Sequence, residues 1–143
     1  VTKHRILFMQ ELLDSTRLDI SSVNGTIPIV KAYAGMQGDL LEALAHAKVD
    51  GLVIEALGAG NLPPQALTAL KKLLIQKIPV ILVSRCFNGI AEPVYDYEGG
   101  GKELADMGVI FCNSINSQKA RLKLLIALNY GLKEQKLADF ITN

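Results

Sequence analysis

Asn61 is the one side chain with strong hydrogen-bonding groups in the loop 58–64 (GAGNLPP), which directly follows the apolar run 51–57. An amide both donates and accepts hydrogen bonds, so Asn61 suits a contact with a small polar ligand or a second subunit. A simple turn that needs glycine for its backbone explains the same residues, and residue types alone favour this plainer interpretation. The spacing lacks the third glycine of a dinucleotide-binding fingerprint and the Gly-Lys-Ser/Thr of a P-loop, so neither nucleotide motif is predicted.

Two further polar segments offer side chains for chemistry, at 84–89 (SRCFNG) and 92–98 (EPVYDYE). Arg85 is a natural partner for a carboxylate, either of a ligand or inside the protein, and pairing inside the protein is the more common outcome. Cys86 needs a nearby base to act as a nucleophile, and His46, in the middle of a predicted helix, is not expected to provide it. The acids and tyrosines of 92–98 either hold an ammonium or hydroxyl group or are simply exposed, and the following glycines also suit a mobile lid.

The elements that position these groups are four short apolar runs, which alternate with longer amphipathic segments. Near-continuous apolar runs are typical of parallel strands covered on both faces. The predicted strands are 27–33, 52–57, 79–84 and 108–112, and the predicted helices begin near 39, 63, 102, 117 and 132. We expect Ser117 to cap the fourth helix and Gly131 to end it.

Strands that are each followed by a helix form right-handed βαβ units. The predicted fold class is therefore α/β: a small open parallel four-stranded sheet with helices on both faces, in three α/β/α layers. Loop 58–64 then lies at the carboxyl end of a strand, where such sheets bind ligands. Residues 1–26 do not fit this rhythm, apart from a possible strand at 5–9. We interpret 1–26 as a connector or the tail of a missing N-terminal domain, and we predict that 27–143 form the α/β domain.

Composition excludes several classes of function. The chain has 143 residues, a formal net charge of +1 and two cysteines. Its near-balanced charge gives no reason to expect nucleic acid or anionic membrane as a partner, and the basic residues near 119–123 are expected to be solvated. No apolar run approaches the about 20 residues that span a bilayer. Cys86 and Cys112 suit a reduced, cytoplasmic setting, and no zinc site is predicted.

Five stretches occur in the order shared by one enzyme family: 28–35 (PIVKAYAG), 51–63 (GLVIEALGAGNLP), 79–86 (PVILVSRC) with Gly89, 97–101 (YEGGG) and 118–125 (QKARLKLL). Over about residues 14–143 the chain resembles the C-terminal domain of the bacterial-type L-asparaginases. That family includes the asparaginase-like subunit of archaeal glutamyl-tRNA amidotransferase. The resemblance implies an amide hydrolase that converts L-asparagine and water to L-aspartate and ammonia, with no metal or organic cofactor.

The resemblance also implies which domain carries the catalytic residues and which contributes substrate-binding residues. The family's nucleophilic threonine and its activating groups lie in the larger N-terminal domain, so no catalytic residue is assigned here and the fragment alone is expected to be inactive. Asn61 and Glu98 resemble the family's substrate-binding residues, which complete the active site of a neighbouring subunit. The implied partners are L-asparagine, the N-terminal domain of the same protein, and further copies in a dimer or tetramer.

Two departures and one alternative accompany this interpretation. Val1-Thr-Lys3 resembles the segment of the family's catalytic lysine, yet the first strand follows too soon, so Lys3 is interpreted as a surface group. Ser84 and Cys86 resemble part of a regulatory asparagine site of some cytoplasmic members, but Glu55 replaces its arginine, which argues against such regulation. The alternative is a non-catalytic binding module, or the asparaginase-like subunit of a tRNA-dependent amidotransferase.

Overall fold

The computed structural model describes residues 17–113 and 115–142. Four parallel strands form one sheet in the order β1-β2-β3-β4. The strands are β1 Ile29–Lys31, β2 Leu52–Ala56, β3 Val80–Ser84 and β4 Ile110–Phe111. The helices are α1 Asp39–Ala47, α2 Leu67–Ile75, α3 Gly101–Asp106, α4 Ser117–Tyr130 and α5 Glu134–Thr142, with a 3₁₀ turn Pro64–Ala66 before α2. The predicted parallel four-stranded α/β fold is confirmed, although β1 and β4 are shorter than their apolar runs.

The sheet is covered on both faces, as the apolar strands require. Alternate side chains belong to two separate apolar clusters: Ile54 and Leu82 pack with α1, α2 and α3, whereas Val53 and Ile81 pack with α4 and α5. All four strand residues are 0% exposed. A strand buried on both faces has no reason to alternate apolar and polar residues, which explains its near-continuous apolar sequence.

Helices α1 and α2 begin where the sequence changes character. Asp39 is the first residue of α1, whose buried face carries Leu41 and Ala45. Pro64 opens the 3₁₀ turn that leads into α2, a position where the missing N–H of proline costs little. Both helices therefore start near their predicted positions.

The cap of α4 differs from the prediction. Asn116, not Ser117, is the capping residue, and its side-chain oxygen accepts the N–H of Lys119 at 2.9 Å. Ser117 is the first helical residue, and its hydroxyl donates to the carboxylate of Glu55 at 2.6 Å. Gly131 ends the helix in the left-handed conformation, with φ of 93°, as predicted.

Residues 17–28 lead into β1 without a helix or strand. The N–H of Thr26 donates to the Asp50 side chain at 2.7 Å, and the Asn129 side chain of α4 hydrogen-bonds both backbone groups of Asn24. This segment is thus fixed against the amino end of the sheet. The strand considered for 5–9 lies outside the described residues, and the domain division at residue 26 stays a prediction.

Candidate functional site

The carboxyl ends of the four parallel strands lie at one end of the sheet, where loops follow β2, β3 and β4. Open α/β sheets bind their ligands at this end. The sequence places Asn61 in the loop after β2, and both Arg85 and Glu98 in the loop after β3. The fold thus brings these predicted site residues to the same end of the molecule.

The loop after β2 is a tight turn. The N–H groups of Gly60 and Asn61 both donate to the carbonyl of Leu57 at 2.9 Å, and the N–H of Leu57 donates back to Asn61. A Cβ at position 60 would lie 2.7 Å from the ring of Phe111. Gly60 also has a φ of 106°, so glycine is required for the backbone conformation, as the plainer interpretation of this loop expects, and for packing as well.

The Asn61 side chain is half-buried and has two unequal ends. Its oxygen accepts the backbone N–H of Gly101 at 3.2 Å, whereas its amino group reaches the carbonyl of Leu57 only at 3.5 Å. The second distance is at the limit of a hydrogen bond. The oxygen therefore has a partner inside the domain, and the amino group is held weakly.

The loops after β2 and β3 are joined by backbone hydrogen bonds as well. The N–H of Glu92 donates to the carbonyl of Ala59 at 2.8 Å, and the N–H of Leu62 donates to the carbonyl of Gly99 at 2.9 Å. These bonds anchor both ends of the stretch 93–98, which we name the acidic segment.

Three successive glycines pack where the acidic segment meets α3. A Cβ at Gly99 or Gly100 would overlap a backbone carbonyl oxygen, of Leu62 or Tyr95 respectively. A Cβ at Gly101 would lie 2.8 Å from the carbonyl oxygen of Glu92. Glycine is thus required at these three positions because the backbone packs closely there. A need for flexibility does not explain this crowding.

Glu98 is exposed within the acidic segment. Nearby, Asp96 forms a 2.6 Å ion pair with Lys102 and raises the pKa of that lysine, while the rings of Tyr95 and Tyr97 lie 5.8 Å apart. This ion pair joins the acidic segment to the first turn of α3. The Glu98 carboxylate therefore stands at the surface, available to a cationic group of a ligand.

Arg85 and Cys86 follow β3, and within residues 17–113 and 115–142 neither has the partner considered for it, a carboxylate for Arg85 or His46 as a base for Cys86. Nη1 of Arg85 donates to the carbonyl of Ala32 at 2.8 Å, so its partner among the described residues is a backbone oxygen, not a carboxylate. Cys86 is exposed at the carboxyl end of the sheet. His46 lies beside Asp50 and Ile78 at the amino end. The fold separates this thiol from this base, as expected.

A hollow of about 900 Å³ opens between the tip of β3 and the start of α4. Glu55 lies in its wall, 3.1 Å from Nζ of Lys31 and hydrogen-bonded to Ser117. The Ser117 hydrogen bond, and to a lesser extent Lys31, hold the pKa of Glu55 below its ordinary value of 4.5, against the opposing effect of burial. A carboxylate thus stands where the resemblance expects arginine.

The basic residues of α4 are not all solvated, so that prediction is wrong in part. Arg121 donates to the carbonyl of Ile27 at 2.8 Å, and Lys123 donates to the carbonyl of Ile141 while it lies 5.2 Å from the ring centre of Phe140. Both side chains are half-buried and connect α4 to segments distant in sequence, whereas Lys119 is exposed. The contacts of Arg121 and Lys123 therefore stabilise the fold.

The fold defines a class: a small parallel α/β domain with polar loops at the carboxyl end of its sheet. The family model of the glutaminase/asparaginase C-terminal domain matches residues 26–141. The chain belongs to this family. Within the described residues, every helix is too short or too polar to cross a membrane.

Individual relatives agree with the family model. The chain is 42% identical over 116 residues to a probable L-asparaginase of Deinococcus radiodurans, covering 81% of this chain and 35% of that protein. It is 30% identical over 113 residues to a glutamyl-tRNA(Gln) amidotransferase subunit of Pyrococcus furiosus, covering 77% of this chain and 25% of that protein. L-asparaginase I from Vibrio cholerae has a similar fold, with a TM-score of 0.74, 22% identity, and coverage of 90% of this chain and 39% of that one. The chain thus spans well under half of these relatives.

Proposed function

We propose that this chain is the C-terminal domain of an L-asparaginase-like amidohydrolase, which converts L-asparagine and water to L-aspartate and ammonia. In this proposal the domain completes the active site of a neighbouring subunit and contributes to the interface of a cytoplasmic dimer or tetramer. Family membership supports the proposal. The observation that carries it is the bond between Asn61 and Gly101, which ties the two loops of the predicted site residues together.

The chemistry of these side chains suits the head group of an amino acid. Glu98 is an exposed carboxylate, so it can accept hydrogen bonds from the substrate's ammonium group. The amino group of Asn61 is only weakly held and can donate to a substrate oxygen. Neither residue is a nucleophile, so the domain supplies binding while the reaction itself takes place on residues of the N-terminal domain.

Ammonia release from L-asparagine tests the proposal. We expect activity from the full-length protein and none from residues 1–143 alone. In the full-length protein, Glu98→Gln should lower kcat/KM about 10- to 100-fold, because a hydrogen bond to a charged group is worth about 1.5–3 kcal/mol. Glu134→Gln, which removes an exposed carboxylate at the start of α5, is the matched control. Equal activity of the two variants would remove Glu98 from the substrate site, and activity of residues 1–143 alone would place the nucleophile here.

A second candidate is the asparaginase-like subunit of a tRNA-dependent amidotransferase. It is favoured by the 30% identity to the Pyrococcus furiosus amidotransferase protein. The same assay separates the two candidates: such a subunit should hydrolyse the amide efficiently only when its partner protein and glutamyl-tRNA are present. Hydrolysis of free L-asparagine by the purified full-length protein would exclude this candidate.

A further inference from the structure

We propose that Asn61 is a positioning residue for Glu98, because its side-chain oxygen holds the backbone of Gly101 and thereby the loop on which Glu98 stands. The inference deepens the proposed function and rests on it for the role of Glu98 in substrate binding. It assigns Asn61 a task inside its own domain, in addition to any contact with the substrate.

The first step concerns the start of α3. The first N–H groups of a helix have no partner within the helix and need acceptors from elsewhere. Gly100, at the capping position of α3, provides no side-chain hydrogen bond, and Gly101 is buried. Asn61, 40 residues earlier in the chain, supplies the acceptor for the Gly101 N–H. If its oxygen turned towards a substrate, this buried donor would lose its partner, which is costly.

The second step concerns the short path from Gly101 to Glu98. Only two residues separate them, and both are fixed: the Gly99 carbonyl accepts the N–H of Leu62, and the Gly100 N–H donates to Tyr97. The N–H of Gly99 also donates to the Glu103 side chain at 2.9 Å. Backbone this tightly packed transmits a shift of Gly101 to Glu98, since no flexible residue lies between them.

Hydrogen exchange, followed by mass spectrometry on the full-length protein without substrate, tests the first step. We expect Asn61→Ala to speed exchange of the amides 99–102 about fivefold or more, because their closed state loses a hydrogen bond. Asn61→Asp keeps an acceptor in the same place and should stay within about twofold of the wild type. Asn88→Ala, in the exposed turn after β3, is the control and should leave these amides unchanged. Unchanged exchange in Asn61→Ala, or equally fast exchange in Asn61→Asp, overturns the proposal.

A double-mutant cycle on kcat/KM tests the second step. If Asn61 acts through Glu98, the loss in the double variant Asn61→Ala/Glu98→Gln should be smaller than the product of the single losses, by about fivefold or more. Losses that multiply fully overturn the proposal, because they mean that the two residues act separately. If Asn61→Ala does not fold, Asn61→Ser replaces it, since serine is too short to take over the bond to Gly101.

The two measurements also separate this inference from the proposed function. A full-length protein that releases no ammonia contradicts the proposed function, while hydrogen exchange still decides whether Asn61 holds the 99–102 backbone. An active enzyme with unchanged exchange in Asn61→Ala contradicts the inference alone.

Discussion

Glu55 is a carboxylate on a strand whose other side chains are apolar. Its side chain is only 18% exposed, and its carboxylate accepts a hydrogen bond from the Ser117 hydroxyl and forms an ion pair with Lys31 on the neighbouring strand. These contacts favour the ionised form, so the pKa of Glu55 is lowered. The residue thereby joins two strands and the first turn of α4 through one ionised group.

Glu55 should make the protein sensitive to acid. A carboxyl group with a lowered folded-state pKa stabilises the fold above its unfolded pKa, and this contribution is lost as pH falls below about 4.5 through the folded pKa. Between pH 7 and pH 3, the free energy of unfolding in urea should fall by about 1 kcal/mol less in Glu55→Gln than in the wild type. Ser117→Ala removes a hydrogen bond that lowers the pKa of Glu55, so the loss of stability should begin at a higher pH. An acid loss in Glu55→Gln equal to that of the control Glu134→Gln would show that Glu55 is not the responsible group.

At the scale of elements, the glycines before α3 and after it allow a matched comparison. Gly99 and Gly108 both have positive φ, 82° and 95°, but only Gly99 is crowded by a backbone carbonyl, whereas nothing lies within 4 Å of a Cβ at Gly108. Gly108→Ala should lower the free energy of unfolding by about 1 kcal/mol, from backbone strain alone. Gly99→Ala should cost about 3 kcal/mol or more, because steric overlap is added to the strain. Urea unfolding of both variants gives the comparison, and equal costs would argue against the close packing of Gly99.

The order and type of the elements were predictable because burial on both sheet faces leaves a clear mark, as in the unbroken apolar run of β3. The cap of α4 was not predictable, since Asn116 and Ser117 are both good capping residues. The Ser117 hydroxyl instead donates to Glu55, which lies 62 residues away in the chain. A local sequence pattern at the start of α4 contains no information about this contact.

The position of Asn61 in the fold was predictable from the sequence, but its hydrogen-bond partners were not. The loop after β2 ends a strand, so the sequence places Asn61 correctly at the carboxyl end of the sheet. The partner of its oxygen is a backbone N–H, and a backbone group carries no sequence signal of its own. The one available signal was the run of three glycines at 99–101, which suggested flexibility although it serves close packing.

At the scale of the whole molecule, the proposed function places each active site between two copies of the protein, and mixing of two variants tests this directly. One full-length partner carries Glu98→Gln, and the other lacks the nucleophilic threonine that the resemblance implies in the N-terminal domain. After joint dissociation and reassembly of equal amounts, random pairing should restore about a quarter of the wild-type activity, because about half of the dimers are mixed and one of the two sites in each mixed dimer has both intact halves. Each variant reassembled alone is the control. No recovery in a mixture of proven mixed oligomers would place both groups in one copy.

The double anchoring of the acidic segment has a consequence for how substrate choice would change in the proposed enzyme. Its anchors are backbone hydrogen bonds at Glu92 and Gly99, followed by glycines that tolerate no side chain. The six residues between them are exposed and do not contribute to either apolar cluster. Transplanting 93–98 between relatives would therefore alter the groups that are proposed to meet the substrate, while the backbone anchors beneath stay the same.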